Sequence, residues 1–552
     1  MKKTVHPLLL RALPLIAGVL TALSLYAQGG SAYEDFTSNP RNFGGICRVY
    51  EAPTEALTPI PKGFKPFYIS MYSRHGSRYL HREDYYSDPF NALNRAAKDG
   101  KLTPLGESVL ERVRWMWDEA RGRYGDYSPV ATEEHRGIVE RMWRHYPAIF
   151  KGKKVNVFAR ATGVPRVILS MAAGTERLKE LNPKIHVLRE ASNAHRELMN
   201  EFPVLGREKI YPQCEEMIAR KLDWDGIKER LFTDKTYADA IPGLDYAIWR
   251  LYMMDTNTLN LGYDFDFGDL FTTEDRYVLW EATNYLMYAS GSASQYNLYT
   301  SVPSAWMLVD DIRRCAERAV GAGEPVRTKV EDIAPQGHNP SIKPLGGYIS
   351  STKSQRHNPS IKPLGGYISS TKSQGHNPST KSPDGYILDR PGGNQPVAAD
   401  LRYGHDMYLI ALVTLLGIYA PYETDPDAVA EQWRDWRIAP MAGNIQLVFF
   451  REKKRLFRKA GKEVLVKFLL NEREVTLGRC PKEVKDGEIS YYTAPPEPKN
   501  GPYYRWSEVR DWLEALSAEA GEMTRIYANI ADGAYTEESL PKGTKGVRYS
   551  LQ

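Results

Sequence analysis

Apolar residues recur along this chain at two periods, and the alternation between them lays out a mixed α/β protein. Pro66-Phe67-Tyr68-Ile69-Ser70-Met71-Tyr72 predicts a strand running into a turn. Val155-Asn156-Val157-Phe158 predicts a second strand. A Gly/Pro turn at Gly163-Val164-Pro165 and a helix with Val167, Ile168 and Met171 on its apolar side follow it. Thr103-Pro104 opens a helix through residue 121, with proline at the favoured first position, and residues 131–149 read as another. Two further runs, 244–254 and 277–287, look helical and carry a Tyr/Trp stripe. Packing between helices is a more common use of such a stripe than a ligand wall. Residues 408–416 continue the helical pattern, 444–451 and 464–470 suit strands, and 507–518 close on a helix. Strands interleaved with helices on both sides of a long helical block predict an α/β sheet lobe, residues 33–189 and 395–552, interrupted by an α-helical cap lobe at 190–334.

Between those parts lies a repeat. The segment that opens His338-Asn339-Pro340-Ser341-Ile342-Lys343-Pro344 and runs to Gln355 recurs from His357, with a degraded third copy from His376. Pro, Gly, Ser, Lys and Asn dominate, which leaves too little apolar surface to offset the entropy of ordering. Residues 335–394 therefore read as a disordered surface insertion. Such an excursion need not separate the elements on either side of it, because loop closure costs grow slowly with length. The repeat histidines have no second ligand type beside them, and no metal or other cofactor is expected.

Met1-Lys2-Lys3 followed by an uncharged stretch from Ala12 to Ala27 reads as a secretory signal peptide, with cleavage after Ala27 or Ala32 and domain bounds of 1–32. The expected location is outside the cytoplasm, periplasmic or extracellular, with no membrane span after signal removal. The 552 residues carry a formal net charge of +5, and without Lys2, Lys3 and Arg11 the body stands near +2. No Lys/Arg run suggests nucleic acid, so anion binding would be local to a pocket. Cys47, Cys214, Cys315 and Cys480 are an even count in an exported chain; disulfides and isolated buried thiols both fit. The oligomeric state is not legible.

The chemistry concentrates at Ser73-Arg74-His75-Gly76-Ser77-Arg78, just past the first strand. Two guanidiniums penalise protonation of His75 and so favour a neutral, nucleophilic imidazole. They also present donor forks that match phosphate oxygens. Gly76 would let the backbone come close to a bound anion. Arg166 stands at a predicted helix start, where anions bind well. Arg402-Tyr403-Gly404-His405-Asp406-Met407 adds a further donor and a carboxyl able to carry a proton, although a His-Asp pair alone is more often a helix cap beside a structural histidine.

With these three segments the chain resembles the histidine acid phosphatases, the branch that includes phytases, glucose-1-phosphatases and multiple inositol polyphosphate phosphatases. Their signature is Arg-His-Gly-x-Arg-x-Pro near the start, a mid-chain arginine in an Arg-Thr-like turn, and a late His-Asp or His-Ala-Glu. The resemblance spans about residues 66 to 416. It implies a histidine-phosphatase-like sheet lobe with an inserted helical lobe. It also implies a phosphomonoesterase acting through a phosphohistidine on His75, with Asp406 as proton donor and an acidic to mildly acidic optimum. Arg74, Arg78, Arg166 and His405 would bind the phosphate of a small-molecule ester such as phytate or another inositol or sugar phosphate. Leu80 stands where the family has proline. Val167 follows Arg166 where threonine is common, which leaves Arg160 as the competing third arginine. The His-Asp form argues against a typical multiple inositol polyphosphate phosphatase. A non-catalytic phosphate-ester-binding protein of the same fold is the alternative.

Overall fold

The computed structural model describes residues 30–192, 199, 206–321, 397–453 and 463–531. The repeats and all but the last three residues of the predicted signal peptide lie outside them. One eight-stranded sheet organises the chain. Its strands are β1 (Phe64–Arg74), β2 (Val155–Ala161), β3 (Ile185–Ala191), β4 (Ala399–Gly404), β5 (Asn444–Glu452), β6 (Val464–Leu470), β7 (Arg473–Glu474) and, after a separate hairpin of β8 (Pro481–Lys485) and β9 (Glu488–Tyr491), β10 (Tyr504–Arg505). The order is β10-β6-β5-β1-β4-β2-β3, with β7 pairing β6. β1, β4, β2 and β3 are parallel; β5, β6 and β10 extend the sheet antiparallel.

Successive residues of β1 face opposite sides. Tyr68 and Tyr72 enter the core shared with the helical lobe, while Ile69 and Met71 enter a second core. Burial on both faces explains why this strand reads as a nearly continuous apolar run. The second core takes Val139 and Met142 from helix α4 (Pro129–His145) and Val167, Met171 and Leu178 from α5 (Pro165–Leu181).

Other long helices are α1 (Ala32–Ser38), α2 (Asp84–Lys98), α3 (Pro104–Ala120), α6 (Arg207–Lys221), α7 (Leu244–Leu261), α8 (Thr273–Gly291), α9 (Trp306–Gly321), α10 (Asp406–Leu415) and α11 (Trp506–Ala531). α3 begins as expected, with Thr103 accepting from the Gly106 amide ahead of Pro104. The helix expected over 131–149 instead starts at Pro129 and breaks at Tyr146, because Pro147 disfavours helical geometry in the residue before it. α6 to α8 fall in the span expected to form the cap, where α7 packs on α2 and α8 on α6, while α9 packs on α11 and β1.

All four cysteines are buried and free. No described helix is long and apolar enough to cross a membrane.

Candidate active site

β1 and β4 run side by side in parallel with Arg74 opposite Gly404, so both chains leave the sheet at the same edge. The His75 amide donates to the Gly404 carbonyl at 3.0 Å, and the His75 and His405 rings lie 5.7 Å apart in an edge contact. β2 flanks β4 on the other side. The Thr162 amide reaches the Tyr403 carbonyl, and Thr162 Oγ1 lies 3.3 Å from His405 Nε2. Arg166 follows in the first turn of α5. Residues far apart in sequence therefore meet at the carboxyl ends of three parallel strands, the usual ligand edge of such sheets.

His75 is 2% exposed, and its Nδ1 lies 2.8 Å from the Gly76 carbonyl. A carbonyl only accepts, so Nδ1 carries the proton and Nε2 keeps its lone pair. Burial first, then Arg74, Arg166 and Arg78, hold the imidazole far below its ordinary pKa. Burial, the larger cause, was not visible in the flanking arginines. His405 is likewise lowered to about 4 by burial and the same guanidiniums, against the pull of Asp406. Both rings are thereby biased toward the neutral form.

The turn after His75 is held from α4 and α5. Glu134 accepts from the Ser77 amide at 2.7 Å, the Ser77 hydroxyl at 3.0 Å and the Tyr50 amide at 2.9 Å. Ser170 Oγ accepts from the Gly76 amide at 3.1 Å. Gly76 is needed for a reason other than anion approach: a Cβ there would come within 2.6 Å of the Ala131 Cβ. Glu134 and Ser170 escaped sequence reasoning. The available signal was a polar residue on the apolar face, Glu134 one turn from Ile138 and Ser170 beside Val167 and Met171.

The arginines divide by partner. Arg74 is 1% exposed; Nη1 donates to the Ile46 carbonyl at 2.5 Å and the Ala439 carbonyl at 2.8 Å, and Nη2 lies 2.5 Å from Asp406 Oδ2. Arg78 Nη1 donates to the Tyr79 carbonyl, and no described carboxylate pairs with this side chain. Arg166 contributes to the lowering of both His75 and His405, and its Nη1 reaches toward the Gly125 carbonyl at 3.5 Å. Arg160, the competing candidate, is bound elsewhere. Both of its Nη atoms donate to Asp311 of α9, at 3.1 and 2.6 Å, and Asp311 also takes Arg402 Nε at 2.6 Å.

Asp406 opens α10, with Oδ1 accepting from the Met407 amide at 2.8 Å. Burial works against its charge, but Arg74, His405 and Arg78 outweigh it and hold the carboxyl below its usual range. Asp435, on a buried turn beside the Arg74 partners, goes the other way: burial raises it to about 6, although the Trp280 indole and Trp436 amide donate to it.

The architecture matches solved structures. The multiple inositol polyphosphate phosphatase from Bifidobacterium longum, in its apo form, superposes with a TM-score of 0.56 at 14% identity, covering 86% of this chain and 97% of that one. The chain has the histidine acid phosphatase fold. The same Bifidobacterium protein in complex with inositol hexasulfate gives 0.55 at 14% identity, with the same coverage. The phytase from D. castellii gives 0.49 at 12% identity, covering 93% of this chain and 92% of that one. No protein-family model matches the chain, and no curated protein matches it. The likeness is one of fold.

Proposed function

We propose that this chain belongs to the histidine acid phosphatase family and hydrolyses phosphate monoesters through a phosphohistidine on His75. One observation carries the reading: a neutral imidazole whose Nδ1 proton is committed to the Gly76 carbonyl, so that Nε2 is a lone-pair nucleophile beside Arg74, Arg78 and Arg166. Nε2 attacks phosphorus and forms the N–P bond as the ester P–O bond breaks. The guanidiniums and His405 spread the charge of the phosphoryl oxygens and hold them in line. Asp406 gives its proton to the departing alkoxide. Its carboxylate then takes a proton from water as that water attacks phosphorus, and phosphate leaves with Nε2 restored.

The free protein holds Asp406 ionised through Arg74. A bound phosphate group competes for Arg74 and adds negative charge beside the carboxyl, and both effects raise its affinity for a proton. The donor form is thus created by substrate, which fits an acidic to mildly acidic optimum. A protein that only bound phosphate esters would need the arginines but not the oriented Nε2. Phosphate release from a panel of esters between pH 4 and 8, with and without chelator, tests the reading; no release from any ester overturns it.

Asp406→Asn separates substrates by their leaving groups. A sugar or glycerol alkoxide cannot depart unprotonated, whereas a nitrophenolate needs little help. The variant is expected to lose on the order of 10²- to 10⁴-fold on an alkyl ester, far more than on nitrophenyl phosphate. Its alkyl-ester rate also no longer falls with rising pH through the Asp406 titration. Equal small losses on both substrates would reduce Asp406 to the helix cap that Asn also serves.

Export follows from the N-terminal pattern. Of the two cleavage positions, the one after Ala27 spares Ser31, whose side chain caps α1, and Ala32, whose amide donates to Glu431. The substrate is a small phosphate ester, phytate or other inositol or sugar phosphates being the class that the resemblance brings.

A further inference from the structure

The Tyr/Trp stripe of α7 is only partly consumed by packing: Tyr252 is buried and Trp249 is partly buried against the core, but the stripe reaches the surface at its start. Tyr246 is 53% exposed and lies nearly parallel to Trp249, with ring centroids 5.7 Å apart. The row continues across to the chain that follows the phosphate turn: Trp249 to Tyr85 is 6.0 Å and Tyr85 to His81 is 5.0 Å. His81 sits three residues after Arg78, and both His81 and Arg166 border Gly125: a Cβ built there would lie 3.6 Å from His81 Cα and 3.7 Å from Arg166 Nη1. The four rings thus form one wall that begins at two of the phosphate-site arginines and ends at solvent. Tyr85 responds to Arg78, and His81 to both Arg78 and Arg166, which agrees with that placement.

Beyond the phosphate-site arginines, the guanidiniums flanking the row, Arg250 and Arg82, are already paired. Arg250 lies 4.2 Å over the Tyr246 ring and pairs with Asp84 at 3.0 Å and with Asp88. Arg82 pairs with the same Asp84. A leaving group bearing more phosphates would meet carboxylates and spent guanidiniums along this wall. A flat, uncharged ring would meet π faces, which receive any aromatic ring without hydrogen-bond readout.

We propose that His81, Tyr85, Trp249 and Tyr246 form a stacking wall for the leaving group, and that the ester taken by this site carries a planar aromatic ring, as a nucleoside or an aryl phosphate does. The inference rests on the phosphatase reading above and narrows its substrate class. Within that class it selects sugar phosphates that carry a base over ringless sugar and inositol phosphates.

Steady-state kinetics on four esters test it: a nucleoside 5′-monophosphate, nitrophenyl phosphate, glycerol 2-phosphate and phytate. The full chain is expected to favour the nucleotide over the two ringless esters in kcat/KM, all three having alkoxide leaving groups. Trp249→Leu and, separately, the exposed Tyr246→Ala should raise KM for ring-bearing esters by about 5-fold or more. KM for glycerol 2-phosphate should not change, which also reports that the fold and phosphate site are intact. A loss confined to the nucleotide identifies a nucleoside, and equal losses on both ring esters identify an aryl group. Preference for phytate or glycerol 2-phosphate, or equal KM changes with and without a ring, overturns the stacking wall while leaving the phosphatase reading in place. No phosphate release from any of the four overturns both.

Discussion

Replacing His75 with alanine is expected to abolish phosphate-ester turnover, a loss on the order of 10⁴- to 10⁶-fold in kcat, as for removal of a covalent nucleophile. The reason lies in the contacts this side chain makes and those it leaves to others. Its ring makes one hydrogen bond, to its own neighbour Gly76, and an edge contact with His405. The turn that carries it is held by Glu134 and Ser170 through the backbone and Ser77, none of which the substitution touches. His75→Ala should therefore keep its fold, with a melting temperature within a few degrees of the parent, roughly what a small packing loss costs. Rapid quenching of the parent with phosphorus-labelled ester should trap acid-labile, alkali-stable label on His75, and the variant should trap none. Retention of more than a hundredth of the parental rate, or label on another residue, would remove His75 from the mechanism.

Arg166→Ala and Arg160→Ala should fail in opposite ways. Arg166 stands in the first turn of α5 and its charge helps lower both histidines, so it is placed to contact the phosphoryl oxygens most strongly as the group loosens in the transition state. Its removal is expected to lower kcat/KM by about 10²- to 10³-fold with little change in stability. Arg160 is buried against Asp311, so its removal leaves Arg402 as the one described cation paired with that carboxylate. Breaking such a pair costs about 3–5 kcal/mol of stability, while the folded fraction should keep near-parental kinetics. Thermal melts and initial rates on the two variants decide it. Loss of rate in Arg160→Ala with Arg166→Ala unaffected would exchange their roles.

The same buried pair explains what sequence pattern missed. β1, β5 and β6 announce themselves by mainly apolar runs, but β4 reads Ala-Asp-Leu-Arg-Tyr-Gly, with two charges in six residues and no apolar run to mark it. Every residue of it is buried. Asp400 accepts from the Tyr68 hydroxyl, and Arg402 is neutralised by Asp311 and donates to Ser70. Partners that are distant in sequence turn charged residues into core residues, and no local pattern encodes them. The site divides likewise. His75, Arg74 and Arg78 were legible because their chemistry is contiguous. Arg166 and Arg160 look alike in the sequence, and only the fold shows Arg160 taken up by Asp311, just as Glu134 emerges only with the packing of α4 under the turn.

The late arrival of β4 also governs how the protein comes into being. Ile69 of β1 pairs with Ala399, and the other neighbour of β1 is β5. As the chain leaves the ribosome, β2 can pair with β3 at once, whereas β1 waits for both of its partners. Pairings this distant are slow to form and leave strand edges open to misassociation meanwhile. A nascent or truncated chain ending before residue 399 therefore carries the imidazole but has neither His405 nor Asp406 beside it. The candidate site is assembled only once translation has carried the chain past Asp406, more than 300 residues after His75.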